Sequence, residues 1–239
     1  MKKKILVLSI VIILLTTAVV GGSLAWFTDT DEVKNTFTVG RVDIKQLESF
    51  TQNSTLMPIV HNDTPQLTDD TNYVPKEVKV ENRGNTPAYI RTHIAVPTAL
   101  VGVLELDLNV GDGSKWAFAF SNQTTIGGKA YTVYSYTYSE ALEGTDNWLL
   151  AKETELLLNG AYIGEKIDLN VYPETATDPS QATAAYFVKA DGTEVTGFNV
   201  ITDMLNVYVA TQGVQAHGFA SAKAAFADAF QDKIPEFTA

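Results

Sequence analysis

The chain has no cysteine. Disulfide staples, thiol catalysis, cysteine-ligated zinc and iron–sulfur clusters are therefore excluded. Histidine is nearly as scarce. His61, His93 and His217 lie far apart, and none stands in a metal-ligand spacing. There is no His-Glu-x-x-His of a zinc-protease helix and no Gly-x-Ser-x-Gly elbow. The expected catalytic, metal and cofactor inventory is accordingly none. Positive charge is short as well, with 17 basic residues against 28 acidic ones in 239, a net charge of −11. Such a balance excludes the basic footprint that nucleic acid needs and disfavours docking on anionic lipid. Its plain meaning is solubility.

What is present begins at the N-terminus. Three lysines, Lys2 to Lys4, precede an apolar run over residues 5–20, and Gly21-Gly22-Ser23-Leu24-Ala25 follows. Ser23 and Ala25 put small residues at the two positions a signal peptidase reads, so cleavage before Trp26 is expected. The alternative is a retained anchor. Residues 5–22 carry no charge, and about 18 to 20 apolar residues just span a bilayer. The small-residue exit favours cleavage. The expected organisation is a signal peptide (1–25), an N-terminal strand segment (26–45) and one β domain (46–239). The product is secreted and touches the membrane only before cleavage. Residues 1–25 hold three lysines and no acid, so the remaining 214 residues hold 14 basic side chains and 28 acidic ones, a net charge of −14. That length suits one large β domain, and without disulfides its core alone must hold it.

Residues 35–44 read as a strand with a change of phase. Phe37 and Val39 share one face, Val42 and Ile44 the next, and a bulge at Gly40-Arg41 would account for the shift. Residues 47–72 are polar, with Pro58 and Pro65, and read as a long surface loop with a short strand near residues 56–60. Val78 and Val80 begin a clearer strand, residues 81–87 carry turn chemistry, and residues 88–96 alternate. Ile90, Ile94 and Val96 share one face; Tyr89, Arg91 and His93 share the other, less buried one. Together they predict a hairpin with one apolar face. Residues 101–110 are helix or strand, since a short apolar run does not decide.

Strands are expected at 115–120 and 129–138, the second preceded by a tight turn at Ile126-Gly127-Gly128-Lys129, and again at 155–158, 166–172, 185–188 and 206–211. Ser221 can cap a helix over residues 222–230, with Phe226 and Phe230 at i, i+4. Many short strands with one or two short helices predict a mainly β fold, a β-sandwich.

Three weaker signals remain. Asp107, Asn109 and Asp112 near two glycines faintly suggest a calcium loop but lack the EF-hand spacing. Trp116 and Trp148 could line a carbohydrate groove, although strand aromatics are more often core. Asn53-Ser54-Thr55 fits a glycosylation sequon. Residues 233–239 show no sorting signal and no second apolar run, so no covalent attachment is expected there.

The junction from Gly21 to Asp29 and the stretches Asn35-Thr36-Phe37-Thr38-Val39-Gly40 and Val42-Asp43-Ile44 resemble the TasA/camelysin family of Gram-positive exported proteins. So do Val78-Lys79-Val80-Glu81-Asn82-Arg83-Gly84-Asn85, Ala88-Tyr89-Ile90-Arg91, Ala210-Thr211-Gln212 and the late residues 214–219 with the helix that follows. The resemblance implies a jelly-roll sandwich, processing by a SipW-type signal peptidase and a place in biofilm-matrix fibres. Its partners would be further copies of itself and other matrix fibre subunits. It also implies assembly by strand donation, with residues 26–39 supplying the strand, Phe37 and Val39 as plugs and Trp26 or Phe27 near the leading end. The same segment could instead form the first strand of its own domain. Two other functions stay open: a surface metalloprotease of the camelysin type, and a carbohydrate- or host-binding adhesin.

Overall fold

The computed structural model describes residues 40–50, 73–164, 166–175 and 179–238. The chain divides into two units, Met1–Val39 and Gly40–Ala239, and the fold that follows is that of the second. In chain order its strands are β1 (Ile44–Phe50), β2 (Tyr73–Asn82), β3 (Ala88–Pro97), β4 (Leu104–Leu108), β5 (Trp116–Ile126), β6 (Lys129–Tyr138), β7 (Lys152–Glu153), β8 (Leu158–Ile163), β9 (Asp168–Tyr172), β10 (Ala184–Val188) and β11 (Tyr208–Gln215). One helix, α1 (Ala222–Phe230), follows.

The protein is mainly β, and its strand pairs are antiparallel. One sheet runs β1-β2-β8-β4, with short β7 also on β2; a second runs β11-β3-β6-β5; β9 and β10 form a small third. The two large sheets share one core. Val78 and Val80 of β2 and Leu158 and Ile163 of β8 meet Ile90, Ile94 and Val96 of β3 and Trp116 of β5. Each such burial contributes about 1.5–3 kcal/mol. The sheets also touch along one side, where β1 lies beside β11. Gln46 donates to the Val209 carbonyl at 3.2 Å, and Thr211 donates to Gln46 Oε1 at 2.7 Å.

Local chemistry explains several elements. β6 is rich in tyrosine, valine and threonine, which suit a pleated surface. It follows β5 through Gly127-Gly128, both at positive φ (56° and 81°), as a two-residue hairpin with mirror-image turn geometry demands. Helix α1 has the expected bounds, and the Ser221 side chain accepts from the Ala224 amide. Its Phe226 and Phe230 rings stack 6.0 Å apart.

Several expectations need correction. Leu47 to Phe50 is not loop but the second half of β1, paired with residues 76–79. The strands on either side of residues 83–87 form no hairpin: β2 pairs with β1, β7 and β8, whereas β3 pairs with β11 and β6. The turn carries the chain from one sheet to the other because Asn82 holds it there. Its buried amide donates to the Thr86 and Leu142 carbonyls and accepts from the Gly84 amide, each at 2.9 Å. Residues 101–110 resolve into strand β4, preceded by a short 3-10 turn at Thr98–Leu100. The strand expected at 155–158 lies at Leu158–Ile163, and the one expected at 206–211 runs from Tyr208 to Gln215. Of the proposed bulge, Phe37 and Val39 lie outside the described residues; Val42 and Ile44 both pack against the core.

The outer face of the second sheet is covered over β3, β6 and β11, while β5 is mostly exposed. Helix α1 lays Ala225 and Phe226 against Val214, and Ile234 and Phe237 pack on the cluster of Ala95, Ile126, Tyr131 and Val133. Strands β3 and β6 are thus buried on both faces.

Candidate functional site

Ser23, Ala25, Trp26, Phe27, Phe37 and Val39 all lie outside the described residues, as does the sequon at Asn53. The structure does describe how the chain following them is held. The Arg83 amide donates to the Asp43 carbonyl at 2.7 Å and the Asn85 amide to the Arg41 carbonyl at 3.1 Å. The Arg41 amide donates in return to Asn85 Oδ1 at 2.8 Å. Gly84 sits between these contacts. A Cβ there would fall 2.1 Å from the Arg41 oxygen, so no larger residue lets the turn close on the strand. Arg83-Gly84-Asn85 is therefore a clasp on residues 41–43.

A second feature is the side of the molecule opposite β1 and β11. There β4 and β5 each pair on one side only among the described strands. Along β4 runs a groove of about 170 Å³, lined by Leu104, Glu105, Leu106 and Leu108 of β4, by Tyr134 and Tyr136 of β6, and by Val96, Val101 and Gly102. Phe118 of β5, 57% exposed, stands edge-on to Tyr136 at 5.9 Å. The edge of β5 is unusual for its chemistry. Its eleven residues, Trp-Ala-Phe-Ala-Phe-Ser-Asn-Gln-Thr-Thr-Ile, include no charge and no proline. Exposed edges normally carry such residues to prevent pairing with another chain. A register shift between Phe118 and Phe120 is the one interruption of its ladder with β6.

A third feature lies beneath α1. His93, expected on a less buried face, is fully buried, because the outer face of its sheet is roofed by a helix some 130 residues further on. Its Nδ1 lies 2.8 Å from Ser135 Oγ and its Nε2 lies 3.0 Å from Gln212 Oε1. Since Oε1 only accepts, Nε2 carries the proton and Ser135 donates to Nδ1. Burial lowers the histidine pKa to about 4, against the hydrogen bond to Gln212, with the Arg91 charge lowering it further. Arg91, also buried, donates to Thr137 at 3.0 Å and to Asp232 at 2.7 Å, with its guanidinium 4.2 Å from the centre of the Phe226 ring. Serine, imidazole and a third group in sequence are the parts of a nucleophilic relay. Here the third group is neutral, and both Ser135 and His93 are 0% exposed, so no substrate reaches the hydroxyl. The cluster ties the C-terminal segment to the sheet. Ser135 and Gln212 escaped notice in the sequence because their partners come from distant strands.

The other candidates separate. Trp116 is 1% exposed and donates its indole N–H to the Glu155 carbonyl, so it lines no sugar groove; Trp148 is 58% exposed. Asp107 accepts from the Tyr73 hydroxyl, and Asn109 donates to the Leu156 carbonyl. Among the described residues no group of three or more histidines, aspartates or glutamates is placed to hold a metal ion. Comparison of the chain with protein-family models, with curated proteins and with solved structures found no match.

Proposed function

We propose that this protein is an exported structural subunit of a cell-surface or biofilm-matrix fibre. It has a jelly-roll sandwich and assembles by donating residues 26–39 of its mature N-terminus to the next copy. The observation that carries the reading is the uncharged, proline-free edge of β5, on the same side of the sandwich as a leucine- and tyrosine-lined groove along β4. Strand addition takes its affinity from backbone hydrogen bonds along such an edge and its specificity from alternate side chains in pockets. Phe37 and Val39, two residues apart, present side chains on one face for the groove. The clasp on residues 41–43 supports the reading from the donor's side, because it holds the base of the segment that precedes it.

The processing step fits this role. Until a SipW-type signal peptidase cuts before Trp26, the segment stays joined to its membrane-bound leader; after the cut it is free to pair. Other matrix fibre subunits with the same open edge are further recipients. Deleting residues 26–34 tests the reading. The expected outcome, by electron microscopy of secreted protein, is loss of fibres with a folded monomer retained. Fibres of unchanged yield overturn it.

A further inference from the structure

The strands define two poles. At one end of β1, Ile44 faces Asn82; at the other, Phe50 faces Lys76. The clasp pole carries residues 40–43 and the 83–87 turn. The far pole carries Phe50, the turn between β5 and β6, and the loop before β11, which Lys129 pins through its ion pair with Asp203 at 2.7 Å.

Each pole exposes apolar side chains of a different kind. On the clasp pole, Trp148, Leu149 and Leu150 form a 3-10 turn and are 58%, 70% and 67% exposed. The turn is rigidly built. Asn147 Oδ1 accepts from the Leu149 amide at 3.1 Å, and the Asn147 carbonyl accepts from the Leu150 amide at 2.8 Å. It lies beside the clasp, with the Arg83 guanidinium 5.6 Å from the centre of the Trp148 ring. On the far pole, a groove of about 400 Å³ opens between Phe50 and the loop before β11, lined by Val74, Leu104, Ile163, Phe187 and Phe198. Ile201 and Met204 on that loop are 47% and 75% exposed. Leu104, at the far-pole end of β4, lines both this groove and the one along β4, so the two adjoin there.

We infer that Trp148, Leu149 and Leu150 of one copy dock into the far-pole groove of the copy that receives its N-terminal strand. The inference rests on the fibre reading and adds the second contact of the same junction. Its occupant is another copy for a geometric reason. Phe37 and Val39 immediately precede Gly40, and three extended residues span about 10 Å at most. A recipient that takes those plugs must therefore abut the clasp pole, where the exposed turn is. Two unlike patches at opposite poles make a head-to-tail contact, which propagates as an open filament when its rotation does not close a ring. A preformed turn presenting a tryptophan to an apolar groove has the usual character of an interface anchor.

The test uses the mature chain with its N-terminal segment intact. A clasp-pole variant carries Trp148→Ser, Leu149→Ser and Leu150→Ser; a far-pole variant carries Phe50→Ser and Val200→Ser, both of which line the groove. Thermal unfolding checks the fold of each, and Leu149→Glu alone repeats the test should the triple variant not fold. By sedimentation, the concentration at which filaments appear should rise at least about tenfold in each variant, a change of about 1.4 kcal/mol per junction. Mixed in equal amounts between the two thresholds, they should stop at dimers, since each pair contains one intact junction. An unchanged threshold in either variant overturns the inference. If that happens while deletion of residues 26–34 still abolishes filaments, strand donation stands and the polar contact falls. If the wild-type chain never assembles, both fall.

Discussion

The two sides of the second sheet meet opposite fates. Its outer face is closed over β3, β6 and β11 by α1 and the C-terminal tail, and among the described residues every buried side-chain nitrogen and oxygen has a hydrogen-bond partner. Its β5 edge is open, uncharged and flanked by half-exposed aromatics. The first region stores stability; the second leaves backbone groups and apolar surface uncovered among the described residues. The contrast extends to the edges. β11 is sealed by β1 through Gln46, Thr211 and Val209, whereas β5 has no such neighbour among the described strands. Substitutions in the closed region should therefore move stability, and those at the open edge and poles should move assembly.

The largest expected effect is at Phe226, fully buried under Arg91. Phe226→Ala should cost about 3–5 kcal/mol in urea unfolding, while Leu149→Ser should stay within about 0.5 kcal/mol. Equal losses would erase the distinction. Next is pH. His93 titrates near 4 in the folded protein and near 6.5 when unfolded. The unfolded chain thus takes up the proton first as pH falls. The histidine's contribution is complete above pH 6.5 and is lost progressively down to pH 4, with no further loss below. The total is roughly 3 kcal/mol. His93→Gln should flatten this part of the stability profile; an unchanged slope between pH 6.5 and 4 would remove His93 from the account.

A smaller effect is expected at Asp232. It is 46% exposed but faces a buried guanidinium. Asp232→Asn, which keeps an acceptor, should cost about 1–2 kcal/mol. The open side supplies the mildest test. Cut before Trp26 as proposed, the chain would carry a net charge of −14 and its copies would repel one another, so the proposed assembly should strengthen modestly as salt rises toward physiological ionic strength. Light scattering that is indifferent to salt would place the junction away from the charged surface.

Helix α1 was legible to the residue because its cap, its small residues and its Phe226/Phe230 pair are local. So was the tight turn at Gly127-Gly128, although the strand before it, expected over residues 115–120, runs on to Ile126. The crossing at residues 83–87 was not, since turn chemistry is the same whether the next strand pairs with the last or leaves for another sheet. β1 was cut short because Ile-Lys-Gln-Leu-Glu-Ser-Phe, an edge strand with a wet face, runs into a polar stretch. His93 was misjudged because alternation tells which residues share a face, not what later covers it. The candidate site divides in the same way. Phe37 and Val39, the proposed plugs, stand out as a sequence pattern, but the edge and groove proposed to receive them exist only once strands from distant parts of the chain are assembled.

The central claim concerns the destination of residues 26–39. The chain has no cysteine, so a Val39→Cys/Leu106→Cys variant reports on that pair alone. Oxidised mature protein run on a denaturing gel should give a ladder of covalent dimers, trimers and longer chains that collapses on reduction. Oxidised protein that stays monomeric with both thiols free would show that Val39 does not enter the β4 groove of another copy, and would contradict strand donation.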